Sequence, residues 1–181
     1  VSTQVSKLLF PMFSRLYDQK NLSSINIIAN KSVKYISMTL VPIIVFLFIF
    51  AENILILLYG PESSESSLVL QILLLSIYVL SIAIPYSVQP VTTGNTTIPL
   101  YINLSTILIN IFLNLLFIPE QFLSYSTFGM GASGAALTTF FAYNFRFVAS
   151  KYYAFKLTGT RMYNRLILHI FAGTITAFIL Y

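Results

Sequence analysis

The chain has 181 residues, of which 57% are hydrophobic and only 8% charged, and it carries a formal net charge of +5. So little polar surface does not cover a water-soluble domain of this size, which speaks against a soluble enzyme and leaves a lipid bilayer as the solvent. The absence of cysteine removes a disulfide framework and a thiolate nucleophile together.

The composition and its periodicity predict an all-α protein: one polytopic transmembrane helix bundle spanning residues 1–181, with about six membrane segments. The segments fall near residues 1–14, 33–58, 67–93, 98–118, 131–155 and 163–181, the first and last reading as truncated. Four apolar stretches, Tyr35 to Leu58, Leu68 to Thr93, Ile98 to Ile118 and Ala132 to Tyr153, have the length for a crossing, because a hydrocarbon core about 30 Å thick takes roughly 20 helical residues. The opening stretch around Val5, Leu8, Leu9 and Phe10 lacks a basic flank and a small-residue cleavage site, so it is a poor signal peptide.

Lys7 lies inside the first apolar helix. After it comes a connection with Arg15, Lys20, Lys31 and Lys34, read as a linker in which Leu22, Ile25, Ile27 and Ile28 form a short surface-lying amphipathic turn. A second basic connection carries Lys156, Arg161 and Arg165, whereas the turns at Glu62, Glu65 and Glu120 hold no Lys or Arg. Basic loops are retained in the cytoplasm, which places the first and last of these inside and the acidic turns outside. Alternation of the segments gives the same arrangement. The net charge is thus a property of cytoplasmic loops facing anionic headgroups and not of nucleic-acid binding.

Glu52 lies about two turns from the outward end of its helix, within reach of the interface, and a cation-coupling role is the alternative. In the next segment Pro85 and Pro90 interrupt the helix, while Ser81, Tyr86, Ser87, Gln89, Thr92 and Thr93 make its inward half polar. Proline removes a backbone donor, and the freed carbonyls survive in lipid only beside protein or cavity water, so a bent helix next to a cavity is expected. The bend, with Gly94 just beyond it, is either a hinge or gate for alternating access or a fixed kink.

The helix over 98–118 carries Asn103, Thr106, Asn110 and Asn114 at helical spacing on one face. That stripe either lines an aqueous cavity and bonds sugar hydroxyls or fastens the helix to a neighbour. Gly129, Gly131, Ser133, Gly134, Ala135 and Ala136 open the following helix, and the small-residue pairs Gly131 with Ala135 and Ala132 with Ala136 predict close helix packing. No Lys follows as it would in a phosphate loop. Further along sits Arg146, the second cation within an apolar helix. Lys7 and Arg146 both fall about two turns, roughly 10 Å, from the cytoplasmic ends of their helices. Two cations at one depth suit a phosphate or pyrophosphate, unless each snorkels along its own stem to the interface.

His169, the single histidine, reads as solvated or hydrogen-bonded rather than as a proton relay. One histidine and no cysteine make a metal site improbable. No cofactor fingerprint, paired carboxylates or nucleophile-and-base pair appears, so no enzyme activity is expected.

The order of several short motifs resembles the C-terminal half of a polysaccharide-biosynthesis flippase of the Wzx type, in the superfamily of multidrug-and-toxin extruders and lipid II flippases. The motifs are Pro11-x-x-Ser14-Arg15-x-Tyr17, Ile56-Leu57-Leu58-Tyr59-Gly60, Val69-Leu70-Gln71-Ile72-Leu73, the pair Asn110 and Asn114 ahead of Phe117-Ile118-Pro119, and Gly131-Ala132-Ser133-Gly134-Ala135-Ala136-Leu137. The resemblance implies the C-terminal lobe of a two-lobed bundle, with an N-terminal lobe of the same protein as its partner across a central cavity. It also implies residence in the plasma membrane and movement of a polyprenol-linked oligosaccharide from the cytoplasmic to the outer leaflet. Lys7 and Arg146 would hold the headgroup, with Asn103, Asn110 and Asn114 lining the cavity. The family's basic, glycine-rich turn is replaced here by the uncharged Gly94-Asn95-Thr96-Thr97. A cation-coupled drug exporter of the same superfamily, or a non-transporting membrane scaffold, are the competing expectations.

Overall fold

A computed structural model describes residues 2–122 and 125–161. The segment over 163–181, with Arg165 and His169, lies outside the described residues. Among the described residues seven α-helices run in chain order: α1 (Ser2–Asp18), α2 (Leu22–Ile49), α3 (Ala51–Tyr59), α4 (Ser67–Ser87), α5 (Gln89–Thr92), α6 (Thr97–Phe117) and α7 (Gly131–Thr158). A 3₁₀ turn at Pro61–Ser66 leads into α4, and the ribbon β1 (Gln121–Phe122) with β2 (Tyr125–Ser126) decorates the loop before α7. The fold is all-α.

Among the described residues three helical spans are both long and apolar enough to cross a bilayer: Leu22–Ile49, Pro61–Thr92 and Thr97–Phe117. α7, the fourth expected crossing, has 28 residues and ample length but is less apolar, carrying Asn144, Arg146, Lys151 and Lys156. Its small buried positions, Gly134, Ala136, Thr138, Ala142, Ser150 and Ala154, show why it is less greasy. α7 is the central post of the bundle, packed along α4 on one side and α6 on another, so it has less surface to offer to lipid.

The linker expected between Arg15 and Lys34 is a three-residue turn. α1 continues to Asp18 and α2 begins at Leu22, so Lys31 and Lys34 are helical. Lys20 closes the turn in the left-handed region at φ 55, with its N–H on the Tyr17 carbonyl at 2.8 Å, and Asn21 caps α2 by accepting from the Ser24 N–H at 3.1 Å. The apolar residues read as a surface-lying turn split their roles. Ile25 and Ala29 are fully buried with Leu9, Phe13, Ile84 and Val88, whereas Leu22 and Ile27 stay exposed. A second cluster, Val33, Ile82, Tyr86 and Ala154, joins α2, α4 and α7 beside it.

The stretch over 33–58 is also not one helix: it breaks at Phe50 between α2 and α3. The Gln71 amide of α4 donates to the Phe48 carbonyl at 3.1 Å, supplying a partner to a backbone group next to the break. Glu52 lies in the first turn of α3 and is exposed, seven residues ahead of the helix end at Tyr59.

Candidate functional site

α4 is apolar along most of its length, and its C-terminal end is where the chain departs from a simple crossing. Pro85 and Pro90 are both fully buried, and the helix stops at Ser87 before the single turn of α5. Gln89, 0% exposed, mends the break: its Nε2 donates to the Pro85 carbonyl at 2.9 Å. Its Oε1 accepts from Thr160 Oγ1 at 2.9 Å and from Thr158 Oγ1 at 2.5 Å. The Ser87 hydroxyl donates to the Ile84 carbonyl at 3.0 Å, and the Thr92 and Thr93 hydroxyls donate to the Gln89 and Pro90 carbonyls at 2.7 and 2.9 Å. A broken helix is thereby kept with its polar backbone satisfied by protein, the condition for irregular backbone at membrane depth.

Beside this break lie two adjoining cavities. One, about 430 Å³, is lined by Lys7, Arg146, Ser6, Ser87, Ala83 and Ile84; the other, about 260 Å³, by Arg146, Ser6, Ser87, Asn103, Ser150 and Phe10 among others. The structure therefore brings Lys7 of α1 and Arg146 of α7 onto one cavity wall, with the polar end of α4 between them. Each lies farther from its helix end than the sequence boundaries suggested. α1 runs eleven residues past Lys7 and α7 twelve past Arg146, which at 1.5 Å per residue is about 16 to 18 Å. Lys7 is exposed and Arg146 half-buried. Pro11 has no N–H to offer the Lys7 carbonyl, so the turn of α1 that carries this cation lacks one of its helical bonds. None of the five acidic residues of the chain lines either cavity, so no carboxylate balances the two cations there.

The asparagine stripe of α6 divides. Asn103, exposed, lines the smaller cavity beside Arg146. Thr106 turns its hydroxyl back onto the Ile102 carbonyl at 2.7 Å. Asn110 and Asn114 bond to each other at 3.0 Å, and Asn114 Oδ1 accepts from the Thr138 hydroxyl of α7. One turn on, the approach is closest at Gly134, where an added Cβ would stand 2.6 Å from the Phe117 carbonyl oxygen. Close packing at the start of α7 is thus real, but the sequence pairs misplace it: Gly131 and Ala132 are exposed and Gly134 makes the contact.

Gly94 sits at φ 79 in the exposed turn between α5 and α6, with open space around it. Ser6, Ser150, Thr158 and Thr160 carry no signal in the sequence beyond being small polar residues in apolar runs. Ser150 shares the helical face of Arg146 four residues earlier, the one cue to its place. Among the described residues no group of three or more His, Cys, Asp or Glu is disposed to hold a metal ion. A third cavity, about 450 Å³, lies farther along α7 at Lys151, Tyr152, Phe155 and Arg161.

The MatE family model matches residues 9–116, more than half of the chain. The chain belongs to the MatE family. MatE proteins are membrane transporters, which agrees with the apolar spans and with a polar cavity beside a broken helix. The MatE match begins within α1, two residues past Lys7, and ends within α6, so Lys7, Arg146, Ser150 and the threonines at the end of α7 all stand on geometry alone. No curated protein and no solved structure matches the chain.

Proposed function

We propose that this MatE-family chain serves a flippase of the plasma membrane, which moves a polyprenol-linked oligosaccharide from the cytoplasmic to the outer leaflet. The observation that carries the reading is the shared cavity of Lys7 and Arg146, which holds two cations and no carboxylate. An exporter of cationic drugs, or one coupled to Na⁺ or H⁺ through a buried carboxylate, has the opposite requirement at its binding wall. A pyrophosphate meets the present wall well: the guanidinium offers paired donors and the ammonium a compact charge, both in a site walled partly by Ala83 and Ile84 and so less screened than open water. The polar side of the cavity suits glycan, and the polyprenyl tail remains among lipid. The N-terminal lobe implied by the family resemblance forms the opposite wall, and alternating access carries the headgroup across.

The test is translocation of the lipid-linked glycan by the intact protein with Lys7→Gln and Arg146→Gln combined. Loss of translocation with unchanged membrane insertion is the expected result. Undiminished translocation removes both residues from the site and the anionic-cargo reading with them.

A further inference from the structure

The smaller cavity holds a feature that anion binding by Lys7 and Arg146 leaves unexplained. Ser150 is 1% exposed, lines that cavity, and its Oγ has no hydrogen-bond partner among the described residues. A serine in a helix ordinarily turns its hydroxyl onto the carbonyl one turn back, as Ser76 and Thr106 do at 2.8 and 2.7 Å here. An unsatisfied buried hydroxyl is costly, and such a group in a native cavity calls for an occupant able to bond it. The cavity measures about 260 Å³, against about 30 Å³ for one water in the liquid, so the space exceeds what a single bridging water fills.

The two cavities share three side chains, Arg146, Ser6 and Ser87. Lys7 lies on the larger cavity only; Asn103 and Ser150 lie on the smaller only. Charge is therefore concentrated on one side of Arg146 and neutral hydrogen-bonding capacity on the other. A ligand spanning both would be anionic at one end and carry uncharged hydroxyl or amide groups immediately next to the anion.

We infer that Ser150, with Asn103, forms a specificity subsite for the neutral hydroxylated residue joined directly to the anionic group held by Lys7 and Arg146. In a glycolipid that residue is the first sugar. The inference rests on the proposed anionic cargo and deepens it: the cations read the phosphate, and Ser150 reads what the phosphate is attached to. A site built to hydrogen-bond a hydroxyl discriminates against ligands lacking one, because its own polar groups are then left unpaired.

The test compares two probes binding to the purified intact protein: a polyprenyl diphosphate without sugar, and the same lipid carrying a single N-acetylglucosamine. Ser150→Ala should weaken the glycosylated probe by about tenfold and leave the bare diphosphate unchanged, the size expected for one neutral hydrogen bond. Asn103→Ala should act in the same direction. Since Ser150→Ala deletes a hydroxyl that bonds none of the described residues, its melting temperature should stay within error of the parent, which separates recognition from a structural role. An equal loss for both probes, or no loss for either, overturns the subsite. Arg146→Gln reports separately on the cargo reading: it should weaken both probes, and failure to do so overturns the anionic cargo whatever Ser150 does.

Discussion

Gln89 on α5 and Thr160, just past the end of α7, meet in a hydrogen bond of 2.9 Å between residues that are 0% and 1% exposed. Together with the Gln89 bond to Pro85 and the Thr158 hydroxyl, this contact fastens the broken end of α4 to the chain at the end of α7. Substituting Gln89 by Leu keeps most of the volume but withdraws the amide donor from the Pro85 carbonyl and the acceptor from two hydroxyls. The threonines retain each other at 2.8 Å and the Ala154 carbonyl, so the loss falls mainly on the proline break. A destabilisation of about 2 to 3 kcal/mol is expected. Thermal unfolding in detergent reads it, and a melting temperature equal to the parent's would show that the break holds without Gln89.

Gly134 gives a steric prediction that owes nothing to function. A methyl group there meets the Phe117 carbonyl at 2.6 Å, an approach that backbone cannot relieve without shifting α6 against α7. Gly134→Ala should cost about 1 to 3 kcal/mol even though alanine favours a helix. Gly131→Ala lacks that clash, since nothing lies within 4 Å of its added Cβ, but it meets strain of a different kind at φ 54. Paired melts of the two variants, with the larger loss at Gly134, distinguish helix contact from local backbone strain.

These two sites mark what sequence reading reached and where it stopped. Hydropathy found the membrane class and the helix class, because both follow from composition and length alone. It singled out Lys7 and Arg146 because a charge inside a greasy helix stands out whatever the tertiary structure. It misjudged the Arg15 to Lys34 connection because the turn holds no glycine or proline: Lys20 takes the left-handed position that glycine usually fills, so nothing punctuates the pattern. It passed over Ser150, Thr158 and Thr160 because a small hydroxyl in an apolar run reads the same whether it bonds its own helix, a neighbour or a cavity. The asparagine stripe was legible as a stripe, but its division between cavity and helix contact depends on where α7 crosses α6, which no spacing encodes.

That division is itself testable. Asn114 is bonded to Asn110 and Thr138, whereas Asn103 faces the cavity. Asn114→Leu should lower stability by about 1 kcal/mol, in the range of hydrogen bonds between helices in membranes. Asn103→Leu should leave the melting temperature unchanged. The reverse order in a pair of melts would mean that the polar face of α6 is assigned the wrong way round.

Ser37 and Tyr78 provide a cleaner measure of one interhelical bond. Their hydroxyls are 2.9 Å apart, joining α2 to α4, and Ser37 is 0% exposed. Tyr78→Phe removes one oxygen and little volume, leaving the Ser37 hydroxyl without this partner. A loss of about 0.5 to 2 kcal/mol is expected, and Ser37→Ala in the Tyr78→Phe background should add almost nothing further, because the pair acts as a unit. Full additivity of the two losses would show that the hydroxyls do not depend on each other.

The basic turns decide how this bundle stands in the membrane. Lys20 closes the turn between α1 and α2, and Arg161, exposed, follows α7 with its N–H on Asn26 Oδ1 at 3.1 Å, so the two basic connections meet at one end of the bundle. The retention of Lys and Arg on the cytoplasmic side therefore acts on both at once, while the turn at Pro61–Ser66 carries only Glu62 and Glu65. These 181 residues contain no cysteine, so against a parent protein freed of any cysteine elsewhere, single substitutions here give an unambiguous label. In intact cells Lys20→Cys and Arg161→Cys should resist a membrane-impermeant maleimide and react after permeabilisation, whereas Ser64→Cys should react from outside. Labelling of the Lys20 or Arg161 position from outside would invert the bundle, and the cavity of Lys7 and Arg146 would then lie nearer the outer leaflet, where a cargo loaded from the cytoplasm does not begin.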